Sequence, residues 1–150
     1  MYDIIPPKEG SHQLLLHMAD RRYAVIRERL KAVDIDKLNS DSEWVKLARM
    51  RAQEVFGMDV RPCLWQIKVA LATLKGEKHV LSVARTGSGK TLTFWLPLVL
   101  CDDGIIIVVL PLNILAKQNL DQLSRVGINA VVITGETATP ESFEVSKYIL

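Results

Sequence analysis

Ala84-Arg85-Thr86-Gly87-Ser88-Gly89-Lys90-Thr91 decides how this chain is read. The run before it, His79-Val80-Leu81-Ser82-Val83, is short and largely apolar, and it predicts a buried strand. The run after it, Leu92-Thr93-Phe94-Trp95-Leu96, predicts the start of a helix. A strand, a glycine-bearing loop ending in Gly-Lys-Thr and a helix together describe a phosphate-binding loop. Gly87 and Gly89 let the backbone close round an anion at little steric cost. The helix then points its unpaired N–H groups and positive dipole end at that anion. Thr86, Gly87, Ser88, Gly89, Lys90 and Thr91 are therefore the expected triphosphate contacts. Lys90 reaches the β- and γ-phosphates and is the candidate catalytic residue, and the Thr91 hydroxyl is the expected Mg²⁺ ligand. Ala84 stands where the usual pattern opens with glycine.

The bulk numbers allow one domain. A chain of 150 residues buries roughly two-thirds of its unfolded surface. It is 49% hydrophobic and 24% charged, which is ordinary for a globular protein. A net charge of +2 does not by itself argue for nucleic acid. The basic stretch Arg21, Arg22, Arg27, Arg29 and Lys31 is interspersed with Glu28 and reads as a solvated helix face. Cys63 and Cys101 lie in apolar sequence without metal-ligand spacing and are expected to be core thiols in a reducing compartment. No apolar run reaches the roughly 18 residues of a membrane span, and no signal core opens the chain. An intracellular location, nuclear in a eukaryote, is expected.

Outward from the loop, the pattern alternates. Ser11 is the expected cap of a helix running to about Val33, and Ser40 with Glu43 reads as a capping box for a second helix ending before Gly57. Pro62 suits the first turn of a third helix, closed by Gly76. Pro97 should kink or end the helix after the loop. Asp102-Asp103-Gly104 turn the chain into a β-branched run at 105–110, apolar on both faces as in a parallel strand covered by helices. A helix from Leu112 to about Arg125, a strand at 129–134 and a helix start at Thr139-Pro140-Glu141 follow. The order predicts an α/β fold of the P-loop type, a parallel sheet with flanking helices, behind a helical N-terminal segment.

Three stretches narrow the class. Ala84 to Thr91 resembles motif I of superfamily-two helicases. Arg61-Pro62-Cys63-Leu64-Trp65-Gln66 resembles the segment with which DEAD-box and RecQ-like helicases read adenine, and Gln66 precedes Lys90 by a similar distance. A glutamine amide offers a donor and an acceptor to the adenine N6/N7 edge. Val109 to Leu123 resembles the RecQ-type motif Ia helix, whose edge touches nucleic-acid backbone, which makes Leu112 and Asn113 the candidate phosphate contacts. Phe56-Gly57 and Thr93-Phe94-Trp95-Leu96-Pro97 also resemble RecQ-like helicases.

The resemblance implies the N-terminal part of a RecA-like ATP-binding domain at 56–150, incomplete, preceded by a helical extension at 1–55. It implies ATP and Mg²⁺ as cofactors and nucleic acid as a partner, DNA rather than RNA. A second RecA-like domain or a protein partner would complete the motor. Two departures matter. Arg61 lies five residues before Gln66, where RecQ-like proteins leave three, so no nucleotide contact is carried over to it. No apolar strand ends in Asp-Glu, the pair that holds Mg²⁺ and positions the attacking water, and Glu136 reads as a turn residue. The expectation is ATP and nucleic-acid binding as part of a 3′–5′ DNA helicase, with little or no hydrolysis by this stretch alone. A non-motor nucleotide-binding module or remnant is the alternative; a small nucleotide kinase would need an acceptor site and a basic lid that the sequence lacks.

Overall fold

A computed structural model of the chain describes residues 24–101, 106–135, 137 and 148–149. Helices dominate it: α1 over 24–31, α2 Glu43–Phe56, α3 Leu64–Lys75, α4 Lys90–Leu100 and α5 Asn113–Arg125. Strands β1 Ile106–Ile107 and β2 Tyr148–Ile149 pair in parallel, Ile106 opposite Tyr148 and Ile107 opposite Ile149.

Apolar spacing explains which faces meet. Val45, Ala48 and Ala52 recur at three- and four-residue intervals, and so do Ile67, Ala70, Leu71 and Leu74, giving each helix one buried stripe. These stripes join Leu30, Leu38, Leu96, Val99 and Leu100 in one core that sits under the phosphate loop. Phe56 packs on Trp95 with ring centroids 5.5 Å apart, tying the end of α2 to α4. A second, smaller cluster forms where Ala116 and Leu123 of α5 meet Trp95, Ile106, Val108, Leu110 and Val132.

Several expected boundaries move. Ser42, not Ser40, is the N-cap of α2, and no capping box forms there. Asn39 Oδ1 accepts the Asp41 N–H and the Ser42 hydroxyl, so Ser40 is taken into a turn. Pro62 is fully buried ahead of Cys63, the N-cap of α3, rather than inside the first turn. Gly76 closes α3 in the left-handed conformation, as its sequence position predicts. α4 continues through Pro97 to Leu100. The missing N–H falls one turn from the helix end, where buried Leu96, Val99 and Leu100 hold the last turn against the core. α5 ends as predicted, with Gly127 N–H donating to Ser124 O and Ile128 N–H to Leu123 O.

The strands depart furthest from expectation. Residues 79–84 form no ladder, and Leu81 and Val83 are each 91% exposed rather than buried. A strand needs a neighbour to pair with, and none of the described residues supplies one there. Residues 106–110 do alternate, with Ile106, Val108 and Leu110 toward the second cluster, but Ile107 and Val109 face outward uncovered. Residues 129–134 carry one isolated bridge, at Val131. Cys101 is buried as expected, but Cys63 is exposed because a helix N-cap faces solvent. The helix from Ser11, the turn at 102–104, Glu136 and the helix start at 139–141 fall outside the described residues, apart from the 24–31 portion of the first.

Candidate phosphate site

The loop between residue 84 and α4 takes the shape its glycines allow. Gly87 has φ 80° and Gly89 has φ 76°, a region an L side chain rarely adopts. Gly89 is also the N-cap of α4, so Lys90 and Thr91 open the helix and sit at its positive end. Thr86 and Gly87 are exposed, whereas Ser88, Lys90 and Thr91 are half-buried.

Lys90 folds back over the loop. Its Nζ donates to Ala84 O at 2.9 Å and to Arg85 O at 2.8 Å. These neutral acceptors occupy the ammonium that the motif assigns to phosphate oxygens. The first turn of α4 is pinned by the Thr93 hydroxyl, which donates to Lys90 O at 2.6 Å, and by Leu92 N–H, which donates to Gly89 O at 3.1 Å.

Gln66 lies against this loop and is only 5% exposed. Its Nε2 donates to Gly89 O at 2.8 Å and to Ser88 O at 3.3 Å, and its Oε1 accepts the Cys63 N–H at 2.7 Å. Both amide hydrogens and one acceptor position are thus committed to protein groups. The sequence points Gln66 at the adenine edge; the structure places it beside the phosphate loop, with one acceptor position left over.

The residues fit a bound triphosphate with its metal ion. The Ser88 hydroxyl is buried without a hydrogen-bond partner, an orphaned group inside the loop itself. A Cβ added at Gly87 would meet nothing within 4 Å, so the loop is open on that side. Backbone donors, one ammonium and the three hydroxyls of Thr86, Ser88 and Thr91 are the chemistry that phosphate and Mg²⁺ require.

Leu112 and Asn113 are exposed at the start of α5, and Leu112 is its N-cap. Asn113 stands at the edge of a cavity of about 250 Å³ bounded by residues 107–110 and by Val132 and Ile133. None of the hydrogen bonds among the described residues joins this helix start to the phosphate loop. A larger cleft of about 590 Å³ lies between residues 31–36 and 75–81, at the far end of the 79–84 segment. Two of its lysines are already paired there, Lys31 with Glu28 and Lys75 with Glu77.

What the sequence did not signal is the backbone. The acceptors for Lys90 and Gln66 are carbonyls of Ala84, Arg85, Ser88 and Gly89, which no side-chain type announces. The Cys63–Gln66 pairing follows a capping pattern, with glutamine three residues after the N-cap, and was legible in that spacing.

Known proteins share this stretch. The DEAD/DEAH box helicase family model matches residues 64–148. The ATP-dependent DNA helicase Q5 of Rattus norvegicus is 33% identical over 96 residues, 64% of this chain and 10% of that protein. The ATP-dependent DNA helicase RecQ of Haemophilus influenzae is 34% identical over 85 residues, 57% of this chain and 13% of that protein. The ATP-dependent DNA helicase Q-like 4B of Arabidopsis thaliana is 29% identical over 145 residues, covering 96% of this chain and 12% of its own length. The chain therefore spans only 10%, 13% and 12% of these three relatives.

Proposed function

Because the chain belongs to the DEAD/DEAH box helicase family, with the RecA-like P-loop fold which that implies and with RecQ-type relatives, we propose that it binds Mg-ATP on residues 86–91 as the front of an ATP-dependent DNA helicase. The observation that carries this reading is the loop itself: two glycines at positive φ, Lys90 folded over it and an orphaned Ser88 hydroxyl within it. Mg-ATP supplies a transferable phosphoryl group and a cation that neutralises charge on it. Lys90 would exchange its two carbonyl partners for phosphate oxygens, and Thr91 would hold the metal ion. The start of α5 at Leu112 and Asn113 would take a nucleic-acid phosphate, DNA rather than RNA by the relatives' names. A parallel sheet wider than β1 and β2, continuing at 79–84 and 129–134, belongs to the same reading, as do an intracellular setting and a helical extension at 1–55.

Lys90→Ala should abolish Mg-ATP binding measured by titration calorimetry; unchanged affinity would remove the site assignment. Saturation with ATP at about 100 times its dissociation constant should stabilise the fold by about 2.7 kcal/mol. A second reading of the same loop is a nucleotide-binding module without motor activity. Phosphate release stimulated by DNA separates the two when measured on a longer protein that carries this stretch, since a module that only binds shows none.

A further inference from the structure

We propose that Arg85 is the residue that distinguishes a nucleoside triphosphate from a diphosphate in this loop, its guanidinium taking the terminal phosphate alongside Lys90. The proposal rests on the phosphate-site reading above and extends it to a loop position whose residue type the motif leaves open.

Arg85 is placed by its own backbone. Its carbonyl accepts the Lys90 ammonium at 2.8 Å and the Ser88 N–H at 3.3 Å, so residue 85 opens the turn that closes on Ser88. The ammonium that the motif assigns to the β- and γ-phosphates thus rests on the peptide of Arg85. Gly89, Lys90 and Thr91 stand at the other end of the loop, at the start of α4, where helix N–H groups suit the inner phosphates. A row of phosphates that begins at this helix start and follows Lys90 back along the loop ends beside residue 85. The side chain is free to meet it. Arg85 is exposed, and among the described residues no hydrogen bond or ion pair takes its guanidinium. Arg27, Arg29, Arg49 and Arg51 by contrast each hold a backbone carbonyl, a ring or a carboxylate. Arg61 and Arg125 are also exposed and unpaired among the described residues, but neither lies in the loop. No acidic residue falls between Glu77 and Asp102 in the sequence, and Glu77 is already paired with Lys75. The loop therefore presents two cations and no anion of its own. A guanidinium is a planar fork that matches two oxygens of one phosphate, and the terminal phosphate offers the most non-bridging oxygens. Without that phosphate Lys90 keeps a partner and Arg85 has none.

The test compares two nucleotides that differ by the terminal phosphate. Affinities of the full chain for Mg-ATP and Mg-ADP are measured by calorimetry for the native sequence, Arg85→Gln and Arg85→Lys. Because the side chain is exposed, neither substitution should move the melting temperature. Arg85→Gln should weaken Mg-ATP about tenfold, the low end for a hydrogen bond to a charged group because the site is open to solvent, and leave Mg-ADP within about twofold. Arg85→Lys should recover only part of the loss, since an ammonium keeps the charge and gives up the fork. Added salt should narrow the difference between the native chain and Arg85→Gln for Mg-ATP. Equal weakening of both nucleotides would reduce Arg85 to a diffuse positive charge and overturn the proposal, as would no change in either. Weaker binding of single-stranded DNA with both nucleotides unchanged would assign the guanidinium to a nucleic-acid phosphate and overturn it likewise. Lys90→Ala separates this proposal from the reading beneath it. If that variant binds Mg-ATP as the native chain does, the phosphate site falls and the proposal with it; if it loses binding while Arg85→Gln keeps full affinity, the proposal alone falls.

Discussion

Two glycines of the same loop, at nearly the same φ, should differ in what a methyl group does to them. At Gly87 an alanine Cβ meets nothing, so Gly87→Ala adds backbone strain alone, about 1 kcal/mol. At Gly89 the same strain is joined by a Cβ 2.6 Å from Gln66 Nε2, so the amide must leave its carbonyls. Gly89→Ala should therefore destabilise more than Gly87→Ala in urea melts, by a further 1 kcal/mol or so for the lost hydrogen bonding. Equal losses would mean that the Gln66 contact contributes nothing. This scale also shows what the sequence could tell. Lys90, Thr91 and the glycines declare their chemistry by type and order. Gln66 declared an amide, read as an adenine contact, but its partners are carbonyls 22 and 23 residues away, and a carbonyl belongs to every residue.

Among the elements, α3 is held at both ends. Its N-terminal turn carries Gln66, and its C-terminus is gripped by Arg27 of α1, whose Nε donates to Lys75 O at 3.1 Å and Nη2 to Gly76 O at 3.2 Å. A cation on the last carbonyls of a helix satisfies orphaned acceptors and opposes the negative dipole end. Arg27→Ala should cost about 1 kcal/mol in thermal or urea unfolding, an estimate held low because the contact is exposed. Arg27→Lys should recover only part of that, since an ammonium cannot present the two-pronged donor set. The helices themselves were legible, because a stripe of Val45, Ala48 and Ala52 or of Ile67, Ala70, Leu71 and Leu74 specifies a period and a face. Their exact starts were not: Ser40 and Ser42 both suit a cap, and a turn built by Asn39 chose between them. The segment at 79–84 was least legible, since its composition reports suitability for a sheet and not whether a partner strand lies alongside.

Across the whole molecule, the core does not follow the sequence signatures. Leu30, Leu38, Val45, Ala48 and Ala52 precede residue 56, yet they pack with Ile67, Leu71 and Leu96 in the main buried cluster. Removing residues 1–55 should leave α3 and α4 with their apolar stripes uncovered, and circular dichroism should show loss of cooperative unfolding; a folded, cooperatively melting 56–150 fragment would contradict this. Leu81, Val83 and Val109 are each 91% exposed, and among the described residues no ladder covers 79–84 or Val109. Exposed apolar segments with free hydrogen-bonding edges invite association between copies. Leu81→Thr with Val83→Thr should reduce light scattering at high protein concentration while shifting the melting temperature little. The family match opens at Leu64, the first residue of α3, in the middle of that shared core. What is recognisable in this chain and what can stand by itself are consequently different lengths of polypeptide. A fragment trimmed to the point where resemblance begins would keep the lettering of the phosphate loop and lose the floor beneath it.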